Sequence, residues 1–307
     1  MQIAILSKGS SNPKKRRLYT ARRLAEAAQE RGHTPKLLSH TRCYMGMKQG
    51  IPNVHYRGRE LPRIDAIIPR LGPSDINYGS AIVRQFEMRD VYSLTRSIAL
   101  VRSRDKLRSL QLLSRAEIDI PKTAIANQAT DINDLVELVG GPPLIVKLVE
   151  STHGQGVVIA ETKKAAKSVI QAFYSINQPI LVQEFIEEAG GADIRAVVVG
   201  GRVVGAMERQ GLHEEFRSNI HQGGSGSKVK LDREERRIAI KATKQLGLDV
   251  AGVDLVRSER GPLVIEVNPS PGLEGIETAT GRDIASKIIH YVEINAGRKP
   301  KKDKVGA

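Results

Sequence analysis

Apolar residues recur along this chain in short runs separated by stripes of helical length. Ile3–Leu6 is apolar over a strand's length, Leu18–Arg31 carries apolar positions at helical spacing up to Gly32, and Pro35–Leu38 is apolar again. A β-rich run at Ile64–Ile68 precedes a helical pattern over Tyr78–Met88. Strands alternating with helices predict a small parallel α/β domain over about the first 95 residues.

Helical spacing returns at Ser97–Val101 and Asp105–Arg115, then near Asp131–Val139 after the extended stretch Pro121–Ala126. Strands are expected at Leu144–Val149, Val157–Ala160 and Ile180–Phe185, with a helix from Lys163 to about Tyr174. In the last third, Gly200-Gly201 separates Ile194–Val199 from Arg202–Met207, a two-residue hairpin signal. A polar, glycine-rich stretch (His213–Lys228) leads to a helix over Arg233–Leu246. A second hairpin then pairs Val250–Arg257 with Pro262–Asn268, and a helix near Asp283–Ile294 closes the chain. The expected units are 1–96, 97–186, 187–295 and a basic, disordered tail, 296–307.

Composition narrows the class. With 307 residues the chain can build more than one core, and 40% hydrophobic with 27% charged residues is ordinary for a globular protein. No apolar run approaches the roughly 20 residues of a membrane span, and Met1–Leu6 lacks the features of a signal peptide. Cys43 is the only cysteine, which excludes an intramolecular disulfide. A cytoplasmic protein with no membrane association is expected. The net charge of +14, with clusters at Lys14-Lys15-Arg16-Arg17 and Arg298-Lys299-Pro300-Lys301-Lys302, suits nucleic acid, an anionic membrane or an acidic ligand, although both clusters also read as solvated surface. Aromatics are only 4% and Trp is absent, so stacking platforms for nucleic acid are scarce; direct nucleic-acid binding is permitted but not required.

Candidate chemistry concentrates in the second hairpin. Glu266 and Asn268 are two apart and share a strand face. A three-residue loop at Glu259-Arg260-Gly261 would set Ser258 against Pro262 and Asp254 against Glu266. Three oxygen donors would then converge, a set suited to a hard cation, although an amphipathic hairpin with a wet polar face has the same alternation. Asn268-Pro269-Ser270-Pro271-Gly272 follows at once, and backbone N–H groups at Ser270 and Gly272 would suit a carboxylate or phosphate. Lys147, alone in an apolar strand, either reaches an edge or serves an anion. The strand leads into Ser151-Thr152-His153-Gly154-Gln155-Gly156, whose glycines favour phosphate contact. Lys106 opens a helix and by itself reads equally as a surface lysine. Gly223-Gly224-Ser225-Gly226-Ser227-Lys228 lacks the glycine spacing of a P-loop, and the seven histidines form no zinc pattern.

In this order the motifs resemble the ATP-grasp superfamily, and more closely the RimK family, whose type member adds glutamates to the C-terminus of the sixth small-subunit ribosomal protein. The resemblance is carried by 104–109, 144–156, 181–186, 193–195, 216–219, 250–255 and 264–277, with Ile67-Ile68-Pro69-Arg70 and Gln85-Phe86-Glu87-Met88 nearer the N-terminus. Asn12–Arg17 departs from it as a basic insertion. The resemblance implies an α/β (α+β) ATP-grasp fold, with a parallel α/β pre-ATP-grasp domain followed by two α+β lobes enclosing ATP. It implies that Lys106 and Lys147 hold the ATP phosphates, that Gln183, Glu184, Phe185 and Ile186 grip adenine, and that Asp193 lies at the ribose. Arg217, with Ser218 and Asn219, would meet the transferred phosphoryl group; Asp254, Glu266 and Asn268 would carry two Mg2+ or Mn2+ ions; Arg195, Ser270 and Gly272 would hold the incoming amino acid. Lys147 and Arg217 would be the catalytic pair. The implied activity is ATP-dependent ligation of L-glutamate to an acidic or ribosomal protein C-terminal tail through an acyl-phosphate, by a homo-oligomer. The alternatives are a small-molecule or free-glutamate ligase and a non-enzymatic, ribosome-associated RNA-binding protein.

Overall fold

The computed structural model describes residues 1–8, 19–127, 131–149, 156–175, 179–211 and 225–298. Its first sheet is built as the alternation predicts. β1 (Gln2–Ser7) is followed by α1 (Tyr19–Glu30) and β2 (Thr34–Ser39). Then come β3 (Cys43–Lys48), β4 (Ile51–Tyr56), β5 (Arg59–Glu60), β6 (Ala66–Arg70), α2 (Ile76–Glu87) and β7 (Tyr92–Ser93). The parallel sheet runs β2-β1-β6-β7. The antiparallel sheet β3-β4-β5 has no counterpart in the sequence reading. Cys43 and Val54 turn inward while Tyr44 and His55 stack outside, a period of two that Gly46 and Pro52 interrupt.

The middle of the chain supplies α3 (Ser97–Arg104), α4 (Lys106–Arg115), β8 (Thr123–Ala126), α5 (Ile132–Leu138), β9 (Leu144–Leu148), β10 (Val157–Ala160), α6 (Lys163–Ser175) and β11 (Ile180–Glu184). The strands form an antiparallel sheet, β10-β9-β11-β8, whose core is closed by α5 and α6. The helices α3 and α4 pack elsewhere. Ala99, Leu112 and Leu113 belong to the core of the following lobe.

That lobe contains β12 (Ala192–Val199), β13 (Arg202–Gln210), β14 (Ser225–Lys228), α7 (Arg233–Gln245), β15 (Val250–Ser258), β16 (Gly261–Asn268), α8 (Glu274–Thr280) and α9 (Ile284–Asn295). Its sheet runs β14-β13-β12-β15-β16. Gly200 and Gly201 both have positive φ (57° and 75°), the backbone that a tight two-residue hairpin requires. One sheet face (Ala196, Val198, Val253, Leu255, Val264, Val267) is sealed by α7 and α4. Part of the other (Val197, Val199, Met207, Val250) packs on α8, α9, α1 and β1, so the first and last thirds of the chain share one core. The rest of that face is polar and carries the candidate site. Among the described residues no helix is long and apolar enough to cross a membrane.

The loop of the second hairpin differs from expectation. Ser258 pairs with Gly261, not Pro262, leaving a two-residue turn at Glu259-Arg260. A bulge at Ile265 then absorbs one residue, so Asp254 still stands opposite Glu266.

Candidate active site

Strand pairing places Asp193, Arg195, Asp254, Glu266 and Asn268 on one face. Arg195 is opposite Asp254 across β12–β15, Asp254 is opposite Glu266, and Gly252 is opposite Asn268. Asp254 is 5% exposed. Arg195 donates to both its oxygens (Nε–Oδ1 2.7 Å, Nη2–Oδ2 2.5 Å), and Arg209 Nη2 lies 3.0 Å from Oδ2. Burial opposes the charge, but the two guanidiniums outweigh it and hold the carboxyl below the usual range. Arg209 also grips Asp193 (Nε–Oδ1 2.6 Å), so two acids and two arginines form one buried chain of ion pairs.

Lys147 reaches this face from the facing lobe. Its Nζ donates to Gln183 Oε1 (2.7 Å), and Gln183 Nε2 donates to Thr123 Oγ1 (2.8 Å), which fixes the lysine's direction. Burial pushes the ammonium down to about 8, with Lys106 adding repulsion and Glu266 opposing. Lys106, the first residue of α4 after the Asp105 cap, is lowered by burial and feels the same Glu266 carboxylate. Both lysines thus share one electrostatic environment with Glu266. Lys147 is a residue of strand β9, and neither lysine stands free of Glu266's field.

The adenine candidates form the strap between lobes. Glu184 ends β11, and its N–H bonds Lys122 O (2.9 Å), while the Phe185 N–H bonds Pro143 O (3.3 Å). Neither N–H is therefore open to a base; the Ile186 N–H has no backbone partner among the described residues. The Glu184 carboxylate is clasped by Arg260 from the β15–β16 turn.

The loop after β16 offers fewer free donors than its sequence suggests. The Ser270 N–H is spent on Asn268 Oδ1 (2.9 Å), so it is not a free cradle donor. Gly272 N–H makes no backbone bond among the described residues, and Leu273 N–H goes to Thr20 Oγ1 (3.0 Å). Arg217, Ser218 and Asn219, the 151–155 part of the glycine loop, the basic insertion and the 299–307 tail lie outside the described residues.

The oxygen donors suit a hard cation. Glu266 is exposed, Asn268 Oδ1 keeps a second lone pair, and the Asp254 carboxylate has more acceptor sites than its arginines use. Among the described residues no three His, Cys, Asp or Glu side chains gather for a metal, and the proposed set includes an amide, Asn268.

Residues 103–292 match the RimK-like ATP-grasp domain and residues 1–100 the RimK PreATP-grasp domain. The chain belongs to the RimK family of ATP-grasp ligases. It is 56% identical over 296 residues, 96% of each chain, to a protein of Ectopseudomonas mendocina named probable alpha-L-glutamate ligase. A Vibrio cholerae protein of the same name is 54% identical over 299 residues, 97% of each. Among solved structures, the ATP-grasp ligase PsnB with minimal precursor, Mg and ADP superposes with a TM-score of 0.72 at 19% identity, covering 96% of this chain and 98% of the other. D-alanine–D-alanine ligase from Bacillus anthracis complexed with ATP gives 0.69 at 18%, covering 97% and 98%.

Three basic residues of this RimK-family site escaped the sequence reading. Arg209 faces Asp193 because a bulge near Val197 shifts the first hairpin; counting back from Gly200-Gly201 would set Glu208 there. Arg70 closes β6 and donates from Nη2 to Ser270 O (3.1 Å) and Pro271 O (2.7 Å). Arg104 ends α3 and donates to Leu71 O (2.6 Å). Arg70 and Arg104 lie in stretches that carry the family resemblance, which assigned them no role, and a basic residue at the end of an apolar element is common on surfaces.

Proposed function

We propose that the protein joins L-glutamate to the C-terminal carboxylate of a protein acceptor, with the sixth small-subunit ribosomal protein as the acceptor, through an acyl-phosphate. The proposed units are 1–96, 97–186 and 187–295, with ATP between the last two. The observation that carries the reading is the common environment of Lys106, Lys147 and Glu266, which spans both lobes.

A carboxylate attacking a γ-phosphate brings two anions together, so catalysis is positioning and charge neutralisation. In the first step the carboxylate–phosphorus bond forms and the bond to ADP breaks. In the second, the glutamate nitrogen bonds to the acyl carbon, phosphate leaves, and the amine's protons pass to solvent. Lys106 and Lys147 would face the phosphates, and preorganised donors of this kind are worth roughly 3–4 kcal/mol each. The strap at Glu184, Phe185 and Ile186 would seat adenine, with Asp193 at the ribose. Asp254, Glu266 and Asn268 would hold Mg2+ or Mn2+, two ions in all, which supply positive charge at the phosphates. Arg195 holds Asp254 in place. The relatives' name supports glutamate as the amine, and the PsnB complex with a precursor supports a peptide acceptor. The net charge of +14 favours an acidic tail. A cytoplasmic homo-oligomer completes the reading.

The test is mass spectrometry of the acceptor after incubation with ATP, magnesium and glutamate. Additions of one glutamate residue mass are expected, and Lys147→Ala or Asp254→Ala should abolish both them and acceptor-dependent ADP release. Undiminished turnover by a folded Asp254→Ala protein would overturn the metal assignment. ADP formed from glutamate alone would instead indicate free poly-glutamate synthesis, and RNA binding without ADP would indicate a non-enzyme.

A further inference from the structure

Arg70 and Arg104 present more positive charge than their surroundings neutralise. Each is half-buried, and neither forms an ion pair among the described residues. Their partners are the backbone carbonyls of Ser270, Pro271 and Leu71. Two guanidiniums carry five N–H groups each, ten in all. Among the described residues three of the ten are used: two from Arg70 and one from Arg104. The Arg104 Nε is sealed from solvent with no acceptor. A buried donor left so is costly unless something arrives to accept it.

The two cations are also electrostatic neighbours. Burial and the proximity of Arg104 together push the Arg70 guanidinium down to about 9. Arg104 is lowered by burial, with Glu266 and Asp75 opposing. Asp75 is already engaged, by Lys8 at 3.1 Å and by His40 at 3.6 Å. Glu266 is shared with Lys106 and Lys147. Three cations, Arg104, Lys106 and Lys147, therefore stand around one exposed carboxylate, and Arg70 stands beside Arg104.

A purely architectural account has Arg70 bracing the loop after β16 and Arg104 neutralising the C-terminal end of α3. That account uses the three bonds and leaves the rest of both forks idle. Placement favours a ligand. Arg70 is the last residue of a parallel strand, the end at which open α/β sheets bind ligands. The carbonyls it holds belong to the Ser270–Pro271 loop that borders Asn268.

We infer that Arg70 and Arg104 form a carboxylate clamp in the cleft, taking the side-chain carboxylate of the incoming glutamate. The inference rests on the ligase reading above. Planar guanidinium forks match carboxylates in paired, parallel bonds, and the unused N–H groups supply them. Glutamate brings two carboxylates into a cleft already holding a triphosphate, so its anions need their own cations. A glutamate side chain of the acceptor tail has the same chemistry and is separated from free glutamate by experiment.

The experiment uses the full chain, with Arg104→Gln and Arg70→Lys variants whose thermal unfolding is measured first. KM is determined separately for glutamate, acceptor and ATP. Arg104→Gln is expected to raise the KM for glutamate by about 10- to 100-fold, the loss of one charged hydrogen-bonded contact, while the KM for ATP stays within about 2-fold. In a second arm, equilibrium binding of glutamate and glutamine is compared in the presence of a non-hydrolysable ATP analogue. Wild type should prefer glutamate, and both variants should lose the preference; a merely structural role would weaken both ligands alike. A raised KM for the acceptor instead of glutamate would keep the clamp and assign it to the tail. Unchanged KM values for both, with the glutamate preference intact, would overturn it. Failure of wild type to form any amide would defeat the ligase reading, while the binding arm would still decide the clamp.

Discussion

At the scale of single residues, Lys147 shows how environment remakes a side chain. In water a lysine stays charged to above pH 10, but here burial and Lys106 lower it to about 8. The charged form is present below that value and is lost as pH rises through it. Binding triphosphate restores the charge, so ATP binding near pH 8.5 is expected to take up a proton. Calorimetry in buffers of different ionisation enthalpy measures that uptake, and Lys147→Met should abolish it. Gly252 makes a second residue-level case. A β-carbon there would stand 2.9 Å from Pro271 Cβ, with Arg195 Cδ at 3.8 Å, so the missing side chain lets the loop fold against the sheet. Gly252→Ala should cost about 1–3 kcal/mol of stability in denaturant unfolding and lower kcat by displacing the loop. Lys147, Asp254, Glu266 and Asn268 stood out in the sequence as polar residues interrupting apolar patterns, whereas Lys106 was singled out only by the family resemblance. Arg209 was not, because its partner depends on a bulge.

At the scale of elements, bulges decide the chemistry. Uninterrupted alternation in β16 would set Val264 beside Glu266 on one face. The extra residue at Ile265 sends Val264 and Val267 to the α7 side and Glu266 to the cleft. The expected loop was one residue too long, and the bulge compensated, so the opposition of Asp254 and Glu266 emerged through a different register. Elements also join the lobes. Arg260 in the β15–β16 turn holds Glu184 at the end of β11, and the Glu259 N–H donates to Glu188 Oε1 (3.1 Å). Because Arg260 is about half exposed (49%), the clasp is worth at most about 1 kcal/mol. Arg260→Ala is expected to raise the KM for ATP by up to about 5-fold with little change in unfolding temperature. The difference from wild type should vanish near 1 M salt, where screening acts within about 3 Å.

At the scale of the molecule, the first and last thirds are one packing unit. Leu24 and Ala28 of α1 share a core with Ile288 and Val292 of α9. At its edge Arg31 bonds both oxygens of Glu293 (2.7 and 2.6 Å), and His33 Nε2 lies 2.8 Å from Oε1. Arg31, assisted by His290 and His33 and opposed by burial, holds the Glu293 carboxyl at about 2, well below its ordinary 4.5. A depressed acid stabilises the fold above its unfolded pKa and loses that contribution as pH falls toward the folded one. Thermal unfolding should therefore show stability draining between about pH 4.5 and 2, with a flatter curve over that window for Glu293→Gln, and the variant should be the less stable protein at pH 7.

From the sequence alone came most of the order of strands and helices, the hairpin at Gly200-Gly201, the three candidate oxygen donors and the lone lysine of β9. Those features depend on local periodicity and residue chemistry, which a linear pattern retains. Tertiary structure decided which residues meet: Arg209 with Asp193, Arg70 with the Ser270 loop, α4 with the sheet behind the site rather than with its own neighbours in sequence. Bulges, shared cores and ion pairs between distant segments arise from side-chain packing in three dimensions, where a one-residue shift changes the partner without changing the pattern.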